Sequence, residues 1–225
     1  MSGQMERGAP LPEMVLSGPV LFERARNRLG FDIPPVLTDA ALIPARGDGG
    51  ADEALRMVAR EKPIRPAAVL VPIVDRDEPT VLLTQRAVHL SDHPGQVAFP
   101  GGKLMPGETP LDAALREAEE EIGLDRGFVD PLGYLDVYGN TFGFRIVPTL
   151  ARIKPGFDLR LDKNEVDEAF EVPLSFLMQA DNHVQHDREY RGLRWKYYAM
   201  PYEQRHIWGT TAGILRNLYE WMQVP

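Results

Sequence analysis

The sequence predicts an α+β fold. Short apolar or alternating runs recur at 67–74, 80–84, 129–138, 142–153, 169–172 and 193–199, which is the pattern of strands. Helical period is confined to a few stretches, clearest at 110–122 and 210–222. Strands interleaved with few helices are the mark of an α+β domain. The 225 residues, 44% of them apolar, suit one domain with extra terminal segments, or at most two small ones.

Residues 1–17 carry Gly, Pro and polar residues without period and read as a mobile leader. Leu21, Phe22, Ala25 and Leu29 fall at helical spacing and predict an amphipathic helix over 19–29. Residues 31–64, rich in Pro and Gly with a short helix at 51–60, read as an arm wrapped over the core. Residues 1–64 are therefore set apart from a main domain at 65–225. That arm has three open roles: capping a site, pairing protomers in a homodimer, or covering the sheet.

The run at 67–74 predicts a buried strand, and Pro72 places it at an edge or a bulge. A turn at 75–79 leads into a second strand at 80–84, which makes a hairpin. In the next helix Thr109 is the N-cap, Pro110 takes the first position, Asp112 completes a capping box and Gly123 stops the helix. Leu111, Ala114, Leu115, Ala118 and Ile122 form a stripe for the core. Glu117, Glu120 and Glu121, at i, i+3 and i+4, share a different stripe. This helix packs on one side and binds on the other. Strands follow at 129–138, 142–153 and 169–172, then a short helix at 173–178 and an alternating strand at 193–199. A closing helix at 210–222 has Ile214, Leu215, Leu218 and Trp221 on its apolar side.

Composition excludes several functions. With no cysteine there are no disulfides, thiolate nucleophiles or zinc–thiolate sites, and the chain fits a reducing cytoplasm. The start, MSGQMERGAP, lacks the apolar stretch of a secretory signal. The longest apolar run is too short to span a bilayer, so no membrane role is expected. A net charge of −8 argues against binding a nucleic-acid backbone. A small polyphosphate remains compatible, because a bound cation reverses the local field.

The segment 102–124 reads G-K-L-M-P-G-E-T-P-L-D-A-A-L-R-E-A-E-E-E-I-G-L. Carboxylates this closely spaced on a helix repel each other. A hard cation such as Mg²⁺ relieves that repulsion through the oxygen ligands it prefers. Such ions commonly serve phosphate chemistry. The alternative, a surface helix with a solvated acidic face, leaves this exact spacing unexplained. The order and spacing resemble the Nudix box, G-x5-E-x7-R-E-U-x-E-E-x-G-U, with U a bulky apolar residue. The pattern falls on Gly102, Glu108, Arg116, Glu117, Ala118, Glu120, Glu121, Gly123 and Leu124, with the small Ala118 as a mild departure.

Upstream, L-L-T-Q-R-A-V-H-L-S-D-H-P-G-Q-V-A-F-P-G-G covers 82–102. It resembles the additional signature of the coenzyme A diphosphatase subfamily, L-L-T-x-R-[SA]-x3-R-x3-G-x3-F-P-G-G. Ser91 stands where that signature has its second arginine. Further likeness at 164–174 and 207–215 extends the resemblance over about 66–220. Arg86 is a two-pronged donor suited to phosphate oxygens, with a strand-end salt bridge as the alternative. Gly101 and Gly102 let the backbone run close to a ligand, and a tight turn alone would also use them. His89 and His93 carry imidazole, a side chain suited to acid–base work, but surface or structural roles are commoner and neither joins the catalytic set.

The resemblance implies a Nudix fold, with a mixed sheet sandwiched between helices, and hydrolysis of a diphosphate joined to a nucleoside. Glu117, Glu120 and Glu121 are then the ligands of Mg²⁺ or Mn²⁺. Glu120 or Glu121 lies closest to the metal, and both count with Arg116 among the catalytic residues. Arg116 orients them by pairing with Glu108 or Glu120, while Glu108 and Gly123 support the site. Glu165, on a loop after Leu161, is the candidate general base, against the plainer reading of a surface glutamate. The subfamily implies a coenzyme A-like substrate, cut to 3′,5′-ADP and 4′-phosphopantetheine. Arg188, Arg191 and Arg194 offer countercharge for a 3′-phosphate, although a charged loop explains them more simply. The rival substrates are ADP-ribose and NADH. The rival class is a noncatalytic nucleotide-binding module, against which the complete set of box carboxylates argues.

Overall fold

The computed structural model describes residues 17–47, 63–140, 142–190 and 193–224. In chain order they form α1 (Gly18–Arg28), β1 (Arg46–Gly47), β2 (Arg65–Val74), β3 (Thr80–Arg86), β4 (Val97–Ala98), β5 (Gly101–Lys103) and α2 (Pro110–Ile122). Next come β6 (Val129–Tyr134), β7 (Tyr138–Gly139), β8 (Phe144–Ile153), β9 (Val166–Pro173) and α3 (Leu174–Leu177). The chain closes with β10 (Val184–Tyr190), β11 (Leu193–Tyr202), β12 (Arg205–Trp208) and α4 (Thr210–Gln223). The leader and the expected helix at 51–60 lie outside the described residues.

One mixed sheet runs β1-β7-β8-β2-β3-β4, with β5 added to β2, β6 to β8 and β9 to β3. A second, three-stranded antiparallel sheet runs β10-β11-β12. The central pair, β2 with β8, is parallel from Arg65↔Phe144 to Val74↔Ile153. Side chains alternate across a strand, and β2 shows the result. Ala67, Val71 and Ile73 enter a core shared with Leu21, Phe22 and Ala25 of α1 and with Ile214, Leu215 and Leu218 of α4. Ala68, Leu70 and Val74 enter a second core with Ala113, Ala114, Ala118 and Ile122 of α2. The sheet is thus covered by helices on both faces, the sandwich that the resemblance implied.

Pro72 corrects an expectation. It lies inside the central strand, not at an edge or a bulge, opposite Ala151 of β8. Successive backbone N–H groups of a strand point to opposite neighbours, so the Pro72 nitrogen faces the same side as that of Leu70. Leu70 donates to the Pro100 carbonyl at 2.9 Å, and β3 joins only at Ile73 and Val74. Pro72 therefore falls where the ladder on that side is split and asks for no donor.

α2 has the predicted ends. Asp112 N–H donates to the Thr109 hydroxyl, the Asp112 carboxylate receives the Thr109 N–H, and Gly123 closes the helix at φ 65°. Its stripes differ from the prediction. Ala113 and Glu121 are buried, while Leu111 and Leu115 are only half-buried. The expected strand over 129–138 is broken, with β6 ending at Tyr134 and β7 starting at Tyr138. A Cβ on Gly133, within β6, would overlap Leu29, so the end of α1 presses directly on this strand.

The small sheet was only partly foreseen, since β11 was expected and β10 and β12 were not. The sequence of β10, VQHDREY, is too polar to alternate clearly, and β12 has four residues. Both are defined by pairing with β11. Arg145 of β8, 5% exposed, donates to the carbonyls of Val36, Asp39 (2.6 Å) and Leu42 (2.9 Å) and so fastens the arm to the sheet.

Candidate active site

β2 and β3 pair at Ile73↔Val81 and Val74↔Thr80 and then diverge. Into the gap run β4, paired with β3, and β5, paired with β2. The gap opens at the end of the sheet away from the 75–79 turn. At that end lie Arg86, the last residue of β3, the glycines of β5, and Glu165 in the turn before β9. The Glu165 carbonyl accepts from Ala87 N–H at 2.9 Å, which ties that turn to the residue after Arg86.

α2 crosses β5 at very short range. A Cβ on Gly102 would overlap the Glu117 carboxylate, and one on Gly101 would overlap the Ala68 carbonyl and Val69. Gly101 must be glycine because backbone of β2 fills the space of a side chain, and at Gly102 a side chain would displace the Glu117 carboxylate. It lets Gly101 N–H donate to Glu121 Oε2 at 3.2 Å. Glu121 is consequently buried, with 5% of its surface exposed.

Arg116 organises the remaining carboxylates. Its Nε donates to Glu108 Oε1 at 2.7 Å and its Nη2 to Glu108 Oε2 at 3.1 Å. Nη1 donates to Glu117 at 2.8 Å and to Glu120 at 2.9 Å, and Nη2 also reaches the Lys103 carbonyl at 3.2 Å. Glu108 in turn accepts from Met105 N–H at 2.8 Å. The sequence offered Glu108 and Glu120 as alternative partners of Arg116, and the fold uses both together with Glu117.

These contacts divide the carboxylates by charge. The Arg116 guanidinium, helped by Met105 N–H, draws Glu108 down to about 2, and Arg116 itself is raised well above its usual value, first by Glu108. Burial raises Glu117. Burial also pushes Glu121 up to about 8, with the charges of Glu117 and Glu165 adding to it and the Gly101 N–H and Arg86 opposing it. Glu117, Glu121 and Glu165 thus feel one another as a repelling set.

Among the described residues no three acidic or imidazole side chains are already gathered in metal-ligand geometry. Glu117 and Glu120 are turned to Arg116, and Glu120 is mostly exposed. The donor chemistry nevertheless fits a hard divalent cation. The set is all oxygen, and the raised Glu117 and Glu121 are carboxylates whose ionised form lacks enough positive charge.

Arg86 carries a buried Nε with no hydrogen-bond partner. Such a donor is unsatisfied by the protein and suits an anionic ligand. Tyr134 was not picked out from the sequence. Its hydroxyl accepts from Leu111 N–H at 3.1 Å and holds the start of α2, a contact across sequence that no local pattern signals.

A family model described as the NUDIX domain matches residues 64–193. The uncharacterized Nudix hydrolase NudL of Escherichia coli O6:H1 (strain CFT073) is 41% identical over 155 residues, which is 68% of this chain and 81% of NudL. Among solved structures, a C. elegans Ap4A hydrolase gives a TM-score of 0.42 at 23% identity, over 51% of this chain and 86% of its own. The M. smegmatis Nudix hydrolase RenU gives 0.45 at 20% identity, over 71% and 86%. The chain belongs to the Nudix family. It is a hydrolase of diphosphate bonds in nucleoside diphosphate derivatives, and Nudix hydrolases generally use divalent metal ions.

Proposed function

We propose that this Nudix hydrolase cleaves the diphosphate of coenzyme A or its thioesters, yielding 3′,5′-ADP and 4′-phosphopantetheine. The observation that carries the reading is the 82–102 segment, which resembles the coenzyme A diphosphatase signature. That segment runs along β3, the following loop and β4 into β5, and so lines the carboxylate site with Arg86, Gly101 and Gly102. Ser91 is its single departure and the first residue to examine if the substrate differs. The cysteine-free chain suits a cytoplasmic setting.

Glu117, Glu120 and Glu121 would hold Mg²⁺ or Mn²⁺, which supplies positive charge to the phosphoryl oxygens. Arg86 binds a diphosphate oxygen through its guanidinium, a two-pronged donor. Arg116 keeps Glu117 and Glu120 aligned along α2. Water oxygen bonds to one phosphorus, the bridging P–O bond breaks, and the other phosphate leaves with the bridging oxygen. Glu165, exposed at the mouth and coupled to Glu117 and Glu121, takes the water proton.

Incubation with coenzyme A in Mg²⁺ or Mn²⁺, with products identified by mass spectrometry, tests the proposal. Release of 3′,5′-ADP and 4′-phosphopantetheine, abolished in Glu120→Gln, is the expected result. Intact coenzyme A beside cleaved ADP-ribose or NADH would overturn the substrate. Glu165→Gln should lower kcat by about 10²-fold or more, and an unchanged kcat would remove Glu165 from proton transfer.

A further inference from the structure

Two loops that the catalytic reading leaves unused meet at the open end of the sheet. The first joins β3 to β4 and is fastened on both sides of Arg86. Gly95 N–H donates to the Arg86 carbonyl at 3.1 Å, Arg86 N–H to Gln96 at 2.9 Å, and Val88 N–H to the Asp167 carboxylate at 3.0 Å. Within it His93 adopts φ 56°, the left-handed conformation that few residues with a Cβ occupy.

The second loop joins β7 to β8 and is set by Asn140, which is 7% exposed. Asn140 Oδ1 accepts from Phe142 N–H at 3.0 Å and Phe144 N–H at 3.1 Å. The Gly143 carbonyl accepts from Arg65 N–H at 3.0 Å, which binds the loop to the start of β2. These bonds to Asn140 fix Phe142, which is 46% exposed. The Phe142 and His93 rings stand 5.2 Å apart at 87°.

His93 closes a turn by accepting from Gln96 N–H at 3.3 Å, and that turn sets its ring against the half-exposed Phe142. Strained residues of this kind collect at ligand sites. Two perpendicular rings form a corner, one wall offering a flat apolar face and the other an imidazole with a donor or acceptor nitrogen. That corner matches a planar heteroaromatic ring with polar edges better than it matches an alkyl chain. We infer that the His93–Phe142 corner is the nucleobase subsite, with the base stacked on Phe142 and its edge met by His93. The inference rests on the proposed hydrolysis of a nucleoside diphosphate derivative, and it gives the base a place on the loop whose ends flank the diphosphate-binding Arg86.

Calorimetric titration in Mg²⁺ with ADP and with base-free ribose 5-diphosphate tests it. Phe142→Ala should weaken ADP about 5- to 150-fold, the range of a lost base–aromatic stack, and leave ribose 5-diphosphate unchanged. Phe142→Tyr should restore ADP binding. His93→Gly, which relieves the backbone and removes the imidazole, should weaken ADP alone. Phe142→Trp gives a second readout that does not depend on the alanine variant folding: its fluorescence should respond to ADP and not to ribose 5-diphosphate. Equal loss of both ligands, or an unchanged ADP affinity, would overturn the subsite while leaving the hydrolase reading intact. A wild-type protein that binds neither ligand would overturn the subsite, while its turnover of coenzyme A judges the hydrolase reading separately.

Discussion

Glu121 lies beneath the Gly101 backbone with its carboxyl pushed up to about 8 by burial and by Glu117 and Glu165. An unfolded glutamate titrates near 4.3, so between these two values the folded protein holds a proton that the unfolded chain has lost. Stability that depends on this proton is present at low pH and is lost as pH rises toward about 8. The metal-free protein should therefore show a melting temperature that falls over that window, and Glu121→Gln should flatten the fall. Metal must displace the same proton, so Mg²⁺ affinity should rise with pH up to about 8, as calorimetric titration across pH would show. Glu108 has the opposite sign: Arg116 holds it near 2, and its contribution is lost only as pH drops toward that value. Gly102→Ala would drive a methyl into the Glu117 carboxylate. Its kcat/KM should fall by at least about tenfold, the scale of a small misplacement at a reacting site, and wild-type activity in that variant would contradict the close approach.

At the scale of elements, α2 was legible because its signals are local. Thr109, Pro110, Asp112 and Gly123 act within a turn of their own positions, and the cap, the first turn and the left-handed stop all form. Thr109→Ala removes the capping box and should cost about 1 kcal/mol, a loss of about 2–4 °C in melting temperature for a chain of this size. Calorimetry would register it, with kcat unchanged at saturating metal. The inward turn of Glu121 was not legible. Spacing placed it on one stripe with Glu117 and Glu120, whereas its burial comes from β5, which reaches α2 only after β2 and β3 separate. The strands β10 and β12 escaped for a related reason, since pairing with β11 defines them and their own side-chain pattern does not.

Across the whole molecule, the sheet collects at one end what the sequence distributes over eighty residues or so. Arg86, Gly101, Gly102, α2 and Glu165 come together because β3 and β2 diverge and β9 returns along β3. The box motif announced this site, and the helical spacing of Leu21, Phe22 and Ala25 announced an apolar face, yet the segment at 31–47 gave no sign of which residues it would join. α1 enters the core through Leu21, Phe22 and Ala25, and β1 pairs with β7. Arg145 adds the clasp over Val36, Asp39 and Leu42. Arg145→Ala should leave those carbonyls without their donor at a cost on the order of 3 kcal/mol. Hydrogen exchange in the arm should rise before that of β2 and β8, and uniform exchange across all three would contradict the clasp.

The most direct measurement is kcat/KM for coenzyme A, ADP-ribose and NADH, determined side by side with the same enzyme and Mg²⁺. The account predicts that coenzyme A exceeds the other two by about tenfold or more, a difference of about 1.4 kcal/mol in the transition state. A higher value for ADP-ribose or NADH would contradict the coenzyme A assignment while leaving the Nudix site in place.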